Sequence, residues 1–257
     1  MASVAAAAIM FIAGPTHATI LYNTSLLTPG TYYGTGNPNT NWVANRTNGV
    51  EIGLQTLIRY TGSVAPTPAN SSIYYVPTGA TTVAGKSGSA WGFAFSLNLG
   101  NTGLTLSDVS TSLQLQDVAN GTTGAFDALL IPDNYGYSSA GRDGGSTSNP
   151  LNPLIDYGVQ NAETLSYASV VGAFGDAGYN MNQNDVYKFM FSVTCNAGTE
   201  CAGQQLASVN STVIAGTGVS DVPEPPNVGI FGLGLVAMLG LGLVGRRRVR
   251  ATAMYAG

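Results

Sequence analysis

Trp91-Gly92-Phe93-Ala94-Phe95-Ser96-Leu97-Asn98-Leu99 is the stretch that decides the fold. Large apolar side chains occupy every second position, and small or polar ones fill the gaps. Side chains alternate across a β-strand, so this pattern buries one face of a strand and leaves small residues on the other. The same period recurs along the chain. Tyr187, Phe189, Phe191 and Val193 form one face of a second strand, with Lys188, Ser192 and Thr194 opposite. Val50, Ile52, Leu54, Ile58 and Tyr60 alternate with Glu51, Gln55 and Arg59, Leu57 being the exception. Leu113 and Leu115 alternate with Ser112, Gln114 and Gln116. Weaker strand candidates lie at 73–76, 125–131, 165–171 and 205–214.

Strands with one wet and one dry face bury the dry faces by stacking two sheets. No amphipathic helix of useful length interrupts them. The expectation is an all-β fold, an antiparallel β-sandwich of jelly-roll-like type with at least eight strands. Connections at 28–48, 62–72, 79–89 and 132–153 are rich in Gly, Asn, Ser and Pro and read as loops. No fixed-period repeat suggests a solenoid or propeller.

Two apolar terminal segments stand outside this pattern. Residues 1–18 carry an apolar run and end in Thr16-His17-Ala18, small residues standing at the −3 and −1 positions of a signal-peptidase site. They read as a signal peptide cut after Ala18, although no basic residue precedes the apolar run. The ectodomain is then 19–221. It holds five basic residues against twelve acidic ones, a formal charge of −7. Such a surface repels phosphate backbones, which argues against a nucleic-acid partner.

Catalytic chemistry is mostly excluded by composition. The only histidine is His17, inside the signal segment, so histidine-based triads and metal sites have no residue to use. Cys195 and Cys201 are expected to pair as a disulfide in an oxidising compartment. Glu51, Glu163 and several aspartates supply carboxylates for a glycosidase-like pair, but spacing alone does not join them, and solvated or turn-forming acids are the favoured reading. Asp133, Asn134, Asp143, Asp156, Asp176 and Asp185 are oxygen donors suited to calcium. None falls in EF-hand spacing, and turn chemistry explains them better, so no metal or cofactor is assigned. Tyr32, Tyr33, Trp42, Tyr74, Tyr75, Tyr135 and Tyr137 are candidates for stacking on sugar rings.

The C-terminal segment, 222–250, is the most specific part of the sequence. Val222, Pro223, Glu224 and Pro225 open a stiff, donor-poor stretch, 222–227. Residues 228–245 are eighteen uncharged apolar or glycine residues. As a helix they would span about 27 Å, near the hydrocarbon thickness of roughly 30 Å. Arg246, Arg247, Arg248 and Arg250 follow and would hold that end in the cytoplasm. This order of Pro-Glu-Pro motif, transmembrane helix and arginine cluster resembles the PEP-CTERM sorting signal of Gram-negative bacteria. The resemblance implies an exosortase partner, transient inner-membrane anchoring and cleavage near Pro223-Glu224-Pro225. It also implies release to the cell surface or extracellular matrix, in association with exopolysaccharide or biofilm. The ectodomain is similar, more weakly, to uncharacterised members of that group.

The sequence supports an exported, non-enzymatic surface or matrix protein as the leading reading. A carbohydrate-binding module for the cell's own exopolysaccharide is the alternative, and a carboxylate-dependent glycan hydrolase the third. For the tail, C-terminal peptide mapping of the mature protein should find chains ending near Pro223-Glu224-Pro225 in cells with exosortase and full-length chains in cells without it. Recovery of intact 228–250 on most molecules in exosortase-positive cells would reduce the segment to a plain anchor.

Overall fold

The structure is a computed structural model that describes residues 18–34 and 36–216. The signal segment up to His17 and the whole sorting tail lie outside the described residues. Among the described residues thirteen strands form two sheets. The larger contains β1 (Thr19–Thr24), β2 (Trp42–Thr47), β3 (Val50–Ile58), β4 (Gly62–Ser63), β6 (Trp91–Asn98), β9 (Tyr135–Ser138), β10 (Gly141–Gly144) and β11 (Gly158–Glu163). Its order is β1-β2-β3-β6-β11-β9-β10, with β4 beside β3. The smaller contains β5 (Ile73–Val76), β7 (Val109–Asp117), β8 (Thr122–Phe126), β12 (Asp185–Cys195) and β13 (Gln205–Ala215), in the order β5-β13-β12-β7-β8. Every pairing is antiparallel except β5 with β13, which is parallel.

The core is built where the two strongest alternations meet. Trp91, Phe93 and Phe95 of β6 face Tyr187, Phe189 and Phe191 of β12, with ring centroids 5.1, 4.7 and 5.4 Å apart. All six side chains are buried. Tilted and edge-on rings at these spacings add a specific attraction to the burial of large apolar area. Val50, Ile52 and Leu54 of β3 and Leu113 and Leu115 of β7 extend the same core on either side. At the end of β12, Cys195 is disulfide-bonded to Cys201 in the connection to β13, with Cα atoms 5.7 Å apart. The expected pair is therefore present, clamping the turn of the last hairpin.

The expectation of a wet outer face fails for the larger sheet. The positions opposite the core on β3 and β6 are buried as well. The segment 25–41 folds over them, and Leu26, Tyr33, Trp42, Ala44, Leu57 and Ala94 form a second, smaller apolar cluster. The polar side chains on this face hold the covering backbone. Glu51 accepts from Leu27 N–H at 3.0 Å and from Arg46 Nε at 2.6 Å. Gln55 accepts from the Tyr33 hydroxyl at 3.1 Å and donates to the Thr40 carbonyl. Gln160 accepts from Tyr32 N–H at 2.9 Å and donates to the Gly30 carbonyl at 2.8 Å. Buried backbone groups must find such partners. Little room is left at Gly53: a Cβ would lie 3.0 Å from the Trp42 ring and 3.2 Å from Leu26, so both would have to shift.

Several sequence assignments are corrected. Residues 165–171 are not a strand; they lead into helix α1 (Ala168–Phe174). Val170 and Phe174, four residues apart, share one helix face and both are buried, Phe174 against Phe93, Phe126 and Phe189. The candidate strand at 125–131 stops at Phe126, where Asp127 caps a 3-10 turn (Ala128–Leu130) by accepting from Leu129 N–H. The expected loops 28–48 and 132–153 contain β2 and the β9–β10 hairpin.

Phe93→Ala should lower unfolding stability by about 3–5 kcal/mol, the range for deleting a buried aromatic. Met190→Ala, on the exposed face of β12, should change it by less than about 0.5 kcal/mol. Urea denaturation distinguishes the two; similar small losses would place Phe93 outside the core.

Candidate functional site

The site lies at the end of β3, where the strand leaves the sheet. Arg59 N–H donates to the Ala90 carbonyl at 2.9 Å, fixing the exit. Tyr60 then takes a left-handed backbone conformation (φ +65°) that turns its ring outward. The Arg59 guanidinium donates from one nitrogen to the hydroxyls of both Tyr60 and Tyr167, each at 2.7 Å. Another nitrogen donates to the Ser87 carbonyl at 2.8 Å. The same guanidinium carbon sits 4.8 Å from the Tyr60 ring centroid and 5.2 Å from that of Tyr167, and Lys86 Nζ lies 5.1 Å from the Tyr60 ring. Gly88 permits this approach, since a Cβ there would lie 2.5 Å from the Arg59 guanidinium. Both tyrosines remain exposed, at 53% and 45%.

These rings border a cleft of about 380 Å³, closed by Gly34, Asn37 and Pro38 of the covering segment and floored by Gly92, Ala162 and Glu163. Glu163 and Tyr167 also line a second, more apolar hollow of about 410 Å³ with Leu130, Ile131 and Val170. Glu163 is therefore the acid shared by both. Asn161 Nδ2 donates to Asp133 Oδ1 at 3.1 Å and to Glu163 Oε1 at 3.3 Å, so the amide sits between the two carboxylates. Burial, then the charge of Asp133, pushes the Glu163 carboxyl up to about 7, with Arg59 acting in the opposite direction.

The residues singled out from sequence are dispersed. Tyr33, Trp42 and Tyr74 are core residues rather than a sugar platform. Tyr32 packs at a tilt against Tyr137 at 5.2 Å, Tyr137 lies edge-on to Tyr157 at 5.7 Å, and Arg142 lies 5.3 Å from the Tyr135 ring; none of these residues lines the cleft. Only Tyr75 is strongly exposed, and it lies on β5 of the other sheet. Glu51 is tied to Arg46, the only ion pair among the described residues. Asn134 is buried and donates to the Ala128 carbonyl at 2.7 Å. Asp143 and Asp156 converge over Gly136, and Asp176 and Asp185 flank Asp117. Among the described residues no group of three or more His, Cys, Asp or Glu side chains forms a ready-made chelate. In the sequence Tyr60 falls on the core face of its strand, and neither Tyr60 nor Tyr167 stands out there as a binding residue. Their signal in the sequence was an aromatic placed just past an apolar run.

Among the described residues no helix is long and apolar enough to cross a membrane; the expected span 228–245 lies outside them. Comparisons with family models, curated proteins and solved structures found no match to this chain.

Because the folded state raises the Glu163 pKa from 4.5 to about 7, folding binds its proton more tightly. Its contribution to stability is greatest below about pH 4.5 and falls as pH rises through 7. Glu163→Gln should remove that part of the decline. Thermal melts of both proteins from pH 4.5 to 8 should therefore diverge in slope, the wild type falling more steeply; parallel curves would show Glu163 titrating as a solvated acid.

Proposed function

We propose that this chain is an exported surface or extracellular-matrix protein whose two-sheet, jelly-roll-like domain binds glycan in the cleft beside Tyr60 and Tyr167. The observation that carries the reading is the Arg59 fork. It spends a guanidinium on holding two exposed tyrosine rings in place, where a structural role needs neither ring exposed. Immobilised rings stack on the apolar faces of sugars with little further loss of entropy. The tyrosine hydroxyls, Asn37 and a Glu163 carboxyl that is protonated below about pH 7 supply donors and acceptors around them.

The sorting tail gives the expected location: export, transient anchoring in the inner membrane through 228–245, exosortase processing, then delivery to the surface or matrix. The first strand begins at Thr19, immediately after the expected cleavage at Ala18. The ligand that fits this route is the cell's own exopolysaccharide. Binding is favoured over hydrolysis because the Asn161 amide occupies the gap between Asp133 and Glu163, where a glycosidase would place the scissile bond. No catalytic role is proposed.

The test is saturable binding of the exported protein to a glycan array and to purified exopolysaccharide. Tyr60→Ala and Tyr167→Ala should each weaken binding about tenfold, the loss of roughly one stacking contact. Tyr75→Ala, on the other sheet, should leave it unchanged. Absence of sugar-specific binding, or equal loss in all three variants, would return the protein to a purely structural role.

A further inference from the structure

Asp117, Asp176 and Asp185 meet at one end of the smaller sheet, where β7 ends, β8 and β12 begin and the loop after α1 arrives. Their exposures are 0, 0 and 2%. Asp117 lies within carboxyl–carboxyl hydrogen-bonding reach of both others. Asp117 accepts from Asn120 N–H and from Asn120 Nδ2, both at 2.8 Å. One oxygen of Asp185 accepts from Ala119 N–H at 3.0 Å and Val186 N–H at 2.6 Å, and its other oxygen has no protein partner.

Asp176 is different in kind. It is fully buried, and neither of its oxygens has a hydrogen-bond donor. The side chains of Asn120 and Thr122 approach it without reaching donor geometry. No basic residue among the described ones is spent here. Arg46 is paired with Glu51, Arg59 and Lys86 sit on the tyrosines of the cleft, and Arg142 donates to the Tyr32 carbonyl. Lys188 is exposed on β12. Buried carboxylates without a cation or donor are strongly disfavoured. What these groups share is oxygen: two adjacent carboxylates and a hydroxyl, with Asp117 and Thr122 at strand ends and Asp176 in the loop after α1. That donor set, free of nitrogen and sulfur, suits calcium, which takes six to eight oxygens in flexible geometry. Two carboxylates also balance its charge.

We propose that Asp117 and Asp176, completed by the Thr122 hydroxyl, hold a calcium ion. The ion ties the β7–β8 connection to the loop that follows α1, with Asp185 in hydrogen-bonding reach of Asp117. It lies apart from the Tyr60–Tyr167 cleft and is independent of the glycan reading.

The experiment is calorimetric titration of the full chain with calcium chloride after treatment with EGTA, alongside thermal melts. One site per chain is expected, with Kd at or below about 1 mM, the range of extracellular calcium modules. At a calcium concentration about a hundredfold above Kd, Tm should rise by roughly 5–10 °C, and magnesium should give less than half that rise. Asp176→Asn, nearly isosteric, should abolish the rise while leaving Tm in EGTA no lower than that of the wild type. Thr122→Val should weaken calcium at least about threefold, and supplies a second variant if Asp176→Asn does not fold. Glu200→Gln, a remote acid, should keep the full response. No calcium heat with an unchanged Tm would overturn the site in favour of carboxyls sharing protons. A folded Asp176→Asn or Thr122→Val variant with undiminished calcium affinity would overturn it equally.

Discussion

The contact of β6 with β12, ring upon ring, is the interaction on which the rest of the molecule depends. Trp91, Phe93 and Phe95 meet Tyr187, Phe189 and Phe191 as three pairs, one pair for each step of the pleat. A slip of either strand by one residue would turn its aromatic face away from the other sheet and set Gly92, Ala94 and Ser96, or Lys188 and Met190, against it instead. Pairing in register therefore sets where each sheet ends. At one edge of this arrangement β3 delivers Arg59 and Tyr60 to the surface. At the start of β12 it delivers Asp185 beside Asp117.

Around that core the larger sheet is covered a second time. Its outward polar residues are short of water and rich in protein partners: Glu51, Gln55 and Gln160 each bind backbone of the segment 25–41. A polar residue in an alternating strand can thus act as a fastener for a covering loop as well as a solvated face. The same covering segment supplies Asn37 and Pro38 to the cleft wall. The site is consequently a product of both layers, with the rings displayed by the strand end and the far wall supplied by the loop.

The strands that carry large apolar alternation were legible because period-two burial leaves a direct trace in composition, as at 91–99 and 187–193. The Cys195–Cys201 bridge was legible for a similar reason, since two cysteines six residues apart in a chain expected to be exported have few alternatives. β11 was not, because only Val159 in it is a large apolar residue, and Gln160, Asn161 and Glu163 are used for hydrogen bonding rather than burial of carbon. β9 and β10 were hidden by glycine. The helix at 168–174 was mistaken for a strand because Val170 and Val171 favour extension, and tertiary burial of Phe174 overrode that preference. The candidate site was the least legible. Tyr60 and Tyr167 are distant in sequence, and only a guanidinium reaching both makes them a pair.

Glycan recognition at that pair joins the two halves of the account, a tail that implies delivery to the matrix and a domain that displays fixed aromatic rings. Hydrogen–deuterium exchange mass spectrometry of the exported protein, with and without the cell's own exopolysaccharide, tests this most directly. The account predicts slowed exchange in peptides covering 58–62 and 163–167, with β5 on the other sheet unaffected. Unchanged exchange in both segments, or slowing confined to other surfaces, would contradict it.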